Sequence, residues 1–399
     1  MPKGAQGGGR GAARPAFSIV VVARNEARSL PHLLSSLWPF RERRGDLLVV
    51  DTGSQDETTE LARDFGCRVV AAGDRFASSL TQAQAEKIVR RFSRGGEGPL
   101  ATPGQRLFHF SRARNWAAAQ AKHNLVWHLD GSDVVEALDF ELVDGSIRRG
   151  EAGRVAYEMR LGELSFRTCR FSDRRFDRWE GRAHEGLFPR PDANESARAP
   201  FLECPPDRLA VRHVRRGQKE RNYLAGLALD VLTHNGRARW LHYLGREFHY
   251  LGFHRSAIEA LEAHAAREDA WRPERSSSLC LAGQSRLFLG DPAAAAAFFE
   301  RAHAVDSTWR EPLLRIADIC AGRGDDEAVV ARATAALAIP RTTWHVEADQ
   351  NYTWAPHFHI YRALLRLGRR EEARAHWRFC VLFAPDLPAF KEDAPAFER

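Results

Sequence analysis

Asn124-Leu-Val-Trp-His-Leu-Asp-Gly-Ser-Asp133 is an apolar run, Leu125 to Leu129, stopped abruptly by an acid–glycine turn. An apolar stretch of that length ended by a turn signal reads as a buried strand of a parallel sheet. In open α/β sheets, ligands bind beyond the carboxyl ends of the strands. Two acids placed there could hold a hard divalent cation through their oxygens. Equally, Asp130 could only cap its own turn, a common use of Asp beside Gly.

The chain before this turn follows the same pattern. Phe17-Ser-Ile-Val-Val-Val-Ala23 is a β-branched strand followed by Arg24-Asn25-Glu26, after which Leu30, Leu33, Leu34 and Leu37 recur at helical spacing. Asp46-Leu-Leu-Val-Val-Asp51 predicts a second strand. Thr52 to Asp56 closes it, with Ser54 or Asp56 placed to cap a helix carrying Leu61 and Phe65. Cys67 to Ala72 predicts a third strand. Strand–helix alternation at this spacing means right-handed βαβ units and a parallel sheet. A dinucleotide-binding Rossmann domain would want GxGxxG after the first strand, and Ala23-Arg-Asn-Glu26 is not that. Beyond the Asp130 turn, residues 154–160 and 164–171 alternate like paired strands. Val211-Arg-His-Val214 ends another apolar strand.

Four blocks come in the order found in family 2 glycosyltransferases: Val22-Ala-Arg-Asn-Glu26, Val49-Val-Asp-Thr-Gly-Ser-Gln-Asp-Glu-Thr58, Phe110-Ser-Arg-Ala-Arg-Asn115 and the Asp130 turn. From Phe17 to Val214 the chain resembles the nucleotide-sugar half of that family. The resemblance implies a GT-A fold, α/β with a mostly parallel, Rossmann-like sheet. It implies that Asp51 hydrogen-bonds the base or ribose of a nucleotide sugar and that Ala23, Arg24, Asn25 and Glu26 floor the pocket. Arg114, Asn115 and Asp130 would lie near the nucleoside and diphosphate, Arg114 as a bidentate donor. Arg178-Trp-Glu-Gly-Arg-Ala-His-Glu185 resembles the Trp-x-Gly-x-x-His-Glu segment of family members linked to tetratricopeptide (TPR) repeats. An inverting transferase needs a general base for the acceptor's proton. The resemblance gives that role to Glu185, with His184 as the alternative, while Trp179 could stack on a sugar face or pack in the core.

The family usually places acids at the first and third positions of the Asp130 turn, and here the third is Ser132. Asp133 is the next acid, and strict alternation would put it on the opposite face of the strand. Gly131 could permit a tighter turn that swings it back. The expected ligands of Mn²⁺ or Mg²⁺ are then Asp130, which the resemblance implies, and Asp133 in place of the family's third acid, with the nucleotide's own oxygens and His213, which resembles the family's final His, completing the shell. With one fewer charge directly in place, the cation should bind weakly without a diphosphate.

Residues 73–105 depart from the compact family pattern. Ser79 to Phe92 reads as an amphipathic helix and Ser93 to Gly104 as a Gly/Pro loop, an insertion that could be a lid, an acceptor-binding element or a surface decoration. From Arg216 the strand pattern stops and helices take over. Gly245, Gly252 and Ala257 recur as Gly283, Gly290 and Ala295, then loosely as Gly324 with Ala328 and as Gly368 with Ala373. The repeats resemble TPR units, with an excess at Arg341 to Ala355 that carries Trp344, Tyr352 and Trp354. Such repeats stack into a concave superhelix that binds peptide, dimerises or buttresses. The expected organisation is a disordered tail over 1–16, a GT-A domain over 17–215 and a TPR-like helical domain over 216–399.

Composition bounds the rest. The 399 residues are 44% hydrophobic, enough for two ordinary domains, and the net charge of +7 suits a polyanionic ligand. Only five of the 59 basic residues are Lys, and Arg favours bidentate contacts to phosphate and carboxylate. The basic residues are scattered without a nucleic-acid motif, so no nucleic-acid partner is expected. There is no signal-peptide core and no spanning apolar run, which predicts a cytoplasmic chain. The six Cys are widely spaced without a CxxC pair and read as reduced and buried. The expectation is an inverting glycosyltransferase that moves sugar from a UDP-linked donor to a peptide, protein or glycan acceptor, with homo-oligomerisation as one use of the repeats. The rivals are a non-catalytic nucleotide-sugar-binding scaffold and a GT-A-like nucleotidyltransferase, the latter opposed by the lack of an N-terminal Gly-rich phosphate loop.

Overall fold

The computed structural model describes residues 13–95, 97, 98, 100–162, 164–214, 223–233, 237–342 and 347–397. The first twelve residues of the expected tail, the expected helical start at Arg216, and Trp344 lie outside them.

The principal sheet is assembled from strands that run in the chain as β1 (Ser18–Ala23), β2 (Asp46–Asp51) and β3 (Arg68–Ala71). The short pair β4 (Ala77–Ser79) and β5 (Arg106–Phe108) follows, then β6 (Leu125–Asp130), β7 (Asp133–Leu138), β8 (Arg154–Leu161) and β9 (Leu164–Asp173). The hairpin β10 (Asp177–Glu180) and β11 (Gly186–Pro189) precedes β12 (Phe201–Glu203) and β13 (Leu209–His213), and β14 (Glu347–Ala348) comes far later. The order across the sheet is β3-β2-β1-β6-β9-β8-β13-β7, with β12 on β8 and β14 on β9. The first four strands are parallel, as the βαβ reading requires. From β6 onward the pairing turns antiparallel at β6·β9, β9·β8 and β13·β7. The sheet is therefore mixed, and the mostly parallel expectation holds only for its first half. The physical reason is local: β8 and β9 are joined by a tight turn at Gly162, φ +60°, too short for a parallel crossover.

Helices α1 (Leu30–Ser36), α2 (Trp38–Glu42) and α3 (Thr58–Phe65) connect the first strands, and α4 (Gln82–Phe92), α5 (Phe110–Gln120) and α6 (Phe140–Arg148) follow. The helical half contains α7 (Leu224–Thr233), α8 (Arg239–Tyr250), α9 (His254–Ala265), α10 (Arg272–Phe288) and α11 (Pro292–Val305). It continues with α12 (Glu311–Gly322), α13 (Asp326–Leu337), α14 (Trp354–Arg366) and α15 (Arg370–Phe383). The turns α8–α9, α10–α11, α12–α13 and α14–α15 each carry one Gly at φ +74° to +79°: Gly252, Gly290, Gly324 and Gly368. Only Gly enters that region without strain, which is why these four set the repeat.

The 73–105 segment packs against the helical half. Thr81 starts α4 with a capping box, and the buried face of the helix, Ala85, Ile88 and Phe92, enters one core with Leu100 and Leu107. That core also contains Leu227, Leu244, Phe248 and Leu261 of α7–α9. Arg91 and Arg94 pair with Glu259, and Ser256 on α9 donates to the Phe92 carbonyl and to Glu97. The insertion thus belongs to the helical half's core. A second tie is β14, which leaves the repeats to pair with the edge of β9.

Candidate functional site

Three turns converge where β1, β2 and β6 end. Thr52 donates to the Ala23 carbonyl through its backbone N–H and its hydroxyl. Asn25 sits at φ +53°, its N–H held by Ser54 Oγ at 3.0 Å and its Oδ1 accepting from the Gln55 N–H at 2.8 Å. The Glu26 N–H donates to Thr58, its carboxylate accepts from Ser29, and Arg24 pairs with Asp74 at 3.3 Å. Asp51, 7% exposed, accepts from the N–H groups of Gly53 and Ser54 at 3.2 and 3.0 Å. The carboxylate thus caps its own turn. A Cβ on Gly131 would lie 2.8 Å from Glu26 Cγ, so glycine is required there because the β6–β7 turn presses against the first loop.

Five charged side chains meet at that turn, with His213 beside them. Arg114 donates from Nη2 to Asp130 Oδ1 at 2.8 Å and from Nε to Glu185 Oε1 at 2.6 Å. Arg170, on β9, donates to Asp130 Oδ2 at 2.7 Å and lies 3.7 Å from Asp133 Oδ2. Asp133 is fully buried and does swing back to the side of Asp130: its Oδ2 accepts from the Asp130 N–H and its Oδ1 faces His213 Nδ1, both at 2.8 Å. Burial pushes the Asp130 carboxyl up, but Arg170 and Arg114 outweigh it and hold it well below the usual carboxylate range. Burial opposes the charge on Arg114, and Asp130 and Glu185 more than restore it. His128, buried on β6 below the cluster, is driven far below its ordinary value by burial first and then by Arg114.

The expected residues divide into two groups. Asp130, Arg114, Glu185, Asp133 and His213 come together. Asn115 does not join them: its amide clamps the backbone of Trp179, donating to the carbonyl at 2.8 Å and accepting from the N–H at 2.9 Å. Trp179 is 7% exposed, with Arg114 5.0 Å above its ring and the edge of His128 at 5.3 Å. It is a shelf beneath the ion pairs, largely packed as the core alternative has it, and it also lines the groove beside α5. His184, at φ +48°, turns away to stack on Tyr243 at 4.8 Å with the rings 5° from parallel. Arg170 was missed, because an Arg inside an alternating strand carries no motif. Its signal was positional: one cation on the strand that pairs beside the acidic turn.

The loop carrying Glu185 is held by the helical half. Asp230, fully buried on α7, accepts from the Arg182 N–H at 2.5 Å and from its guanidinium at 2.7 Å. Gly181, at φ +96°, faces Trp240 of α8 so closely that a Cβ would meet the indole at 2.9 Å. Along α5 and β10 runs an open groove of about 440 Å³ lined by His109, Arg112, Arg178, Trp179 and Arg237 among others.

One atom each from Asp130, Asp133 and His213 lie within 4.8 Å of one another, a spacing and donor set that fit a divalent cation. Arg114 and Arg170 each engage one Asp130 oxygen, so a cation entering there would share the carboxylate with two guanidinium groups.

No family model matches the chain. Over 53 residues it is 42% identical to 4,4'-diaponeurosporenoate glycosyltransferase of Staphylococcus haemolyticus, a match that spans 13% of this chain and 14% of that enzyme. Among solved structures, pilF of Pseudomonas aeruginosa aligns with 44% of this chain and 71% of its own at 16% identity and a TM-score of 0.35. MamA aligns with 45% of this chain and 86% of its own at 13% identity and 0.33. At such scores neither likeness carries an argument about this chain. Among the described residues no helix is long and apolar enough to cross a membrane.

Proposed function

We propose that the chain is an inverting glycosyltransferase with a GT-A domain over 17–215 and TPR-like repeats from 216, using a nucleotide sugar, UDP-linked, as donor. The observation that carries this reading is the meeting of Asp130, Arg114, Arg170 and Glu185 beyond the carboxyl ends of parallel strands. The short match to a glycosyltransferase supports it independently. Asp51, with the 23–26 loop, would receive the nucleoside, and Arg114 and Arg170 would face the diphosphate as bidentate donors. Glu185 would take the acceptor's proton. Arg114 engages its Oε1, and among the described residues no hydrogen bond reaches Oε2. His184, packed on Tyr243, is the weaker candidate. A bound Mn²⁺ or Mg²⁺, held by Asp130, Asp133 and His213, would neutralise charge on the leaving diphosphate. The acceptor, a peptide, protein or glycan, would approach along the basic groove beside α5.

A second reading, a nucleotide-sugar-binding scaffold without turnover, is favoured by one observation: both Asp130 oxygens are already engaged by guanidinium groups. Calorimetry tests the nucleotide site common to both readings, and hydrolysis of the donor separates them. UDP should bind the full chain, and Asp51→Ala should weaken it by about 1.5–3 kcal/mol, the worth of a hydrogen bond to a charged acceptor. Slow hydrolysis of UDP-sugar by the wild type alone favours the transferase, and UDP binding without any hydrolysis or transfer favours the scaffold.

A further inference from the structure

We infer that Arg170 is an internal counter-cation that competes with a divalent metal for the acidic turn and thereby sets the metal affinity of the site. The inference rests on the proposed role of that turn in the sugar-nucleotide site, and three observations carry it. The Arg170 guanidinium is 2.7 Å from Asp130 Oδ2 and 3.7 Å from Asp133 Oδ2, which is the position between the two carboxylates that a bridging cation takes. The remaining oxygens are also satisfied, Asp130 Oδ1 by Arg114 and Asp133 by His213 and the Asp130 N–H. Ser132 supplies no further charge, and its hydroxyl faces His213 at 3.4 Å. Three carboxylates, Asp130, Asp133 and Glu185, thus face two guanidinium groups, and Arg170 is the one shared between the two acids of the turn.

A dication entering this turn meets Arg170 at close range in a partly buried setting, where like charges repel strongly. Either the cation stays out or Arg170 leaves. Arg170 lies on β9 beside Phe171, which pairs with both β6 and β8, at a shift in the β8–β9 register. The Arg170 side chain is 25% exposed, which gives it a path outward. A diphosphate offers the displaced guanidinium a new anionic partner, so nucleotide and metal would enter together, each making room for the other.

Mn²⁺ alone, titrated into the full chain without nucleotide and followed by electron paramagnetic resonance, tests this. Arg170→Gln should bind Mn²⁺ at least roughly tenfold more tightly than wild type, because a cation is removed from the cation site. Arg170→Lys, which keeps the charge, should remain weak, and Asp130→Ala in the Arg170→Gln background should abolish the gain. Arg170→Met, which keeps the aliphatic stem, replaces Gln if that variant unfolds. The proposal is overturned if neither Gln nor Met binds Mn²⁺ more tightly than wild type, including the case in which none binds, or if the gain survives Asp130→Ala. UDP calorimetry on the same samples keeps the two ideas apart. Loss of UDP binding in wild type sinks the functional reading whatever Mn²⁺ does, and intact UDP binding with unaltered Mn²⁺ affinity sinks only the role of Arg170.

Discussion

Asp130, Arg114 and Glu185 form a chain of charge in which each member is oriented by the next, so single substitutions there should separate binding from turnover. Glu185→Gln keeps the shape and one acceptor oxygen for Arg114 but removes the proton acceptor. Its expected outcome is unchanged UDP affinity with turnover lowered by roughly 10²–10⁴. Near wild-type transfer would move the base elsewhere. The sequence made Asp130, Asp133, His213 and Glu185 legible through their motif positions, and even the return of Asp133 to the side of Asp130. It could not reveal that Asn115 clamps a backbone or that Trp179 is a buried shelf, because both depend on β10 lying against α5, a contact between segments 64 residues apart. Asp51 shows the remaining ambiguity: a carboxylate that caps its own turn stands where one that receives a ribose would stand.

Elements follow local rules that are easier to read. The parallel strands and the four glycine turns are marked by β-branched runs and by residues that alone tolerate positive φ. The antiparallel second half of the sheet was half legible, since a pairing of 154–160 with 164–171 was expected but its join to β6 was not. Close helix crossings add a test of the repeats. A Cβ on Gly283 would lie 2.6 Å from the Phe299 ring, so Gly283→Val should destabilise by about 1–3 kcal/mol through overpacking. Gly322→Val, at an open position, serves as the control in the same thermal melts. The loop from Gly181 to Glu185 is an element made by its neighbours. Asp230→Ala leaves Arg182 without its buried partner and should cost about 3–5 kcal/mol, with transfer falling more than UDP binding because the Glu185 loop loosens. Equal losses in both would mean Asp230 supports the fold alone.

At the scale of the molecule, the helical half contributes titration behaviour of its own. Ser278 links His242 and His264 inside the α8–α10 packing at 2.8 and 2.9 Å, and His249 meets Ser285 at 2.8 Å. Burial lowers both His264 and His249 to about 4, reinforced by Arg275 and Arg239 at His264 and by His254 at His249. Their folded values lie below the unfolded one, so between pH 6.5 and 4 the unfolded chain binds protons that the folded chain refuses. Stability is full above that window and falls as pH drops through it, by roughly 1.4 kcal/mol per pH unit for each His. His264→Gln should flatten the acid side of a melting-temperature profile, and an unchanged slope would assign the acid loss to carboxylates.

The docking of α4 into the helical core has a consequence for how the chain is made. A ribosome releases residues 82–92 long before residues 224–265, on the order of ten seconds earlier at cellular elongation rates. Throughout that interval Ile88 and Phe92 have only near neighbours such as Leu100 and Leu107 from their final core, since the α7–α9 side chains that complete it have yet to be synthesised. The sheet is in the same position at β9, whose outer pairing waits for Glu347 and Ala348. Vectorial synthesis therefore cannot finish the first half before starting the second, and the nascent chain presents a sticky helix that a holdase must shield or that a slower message would leave open to aggregation.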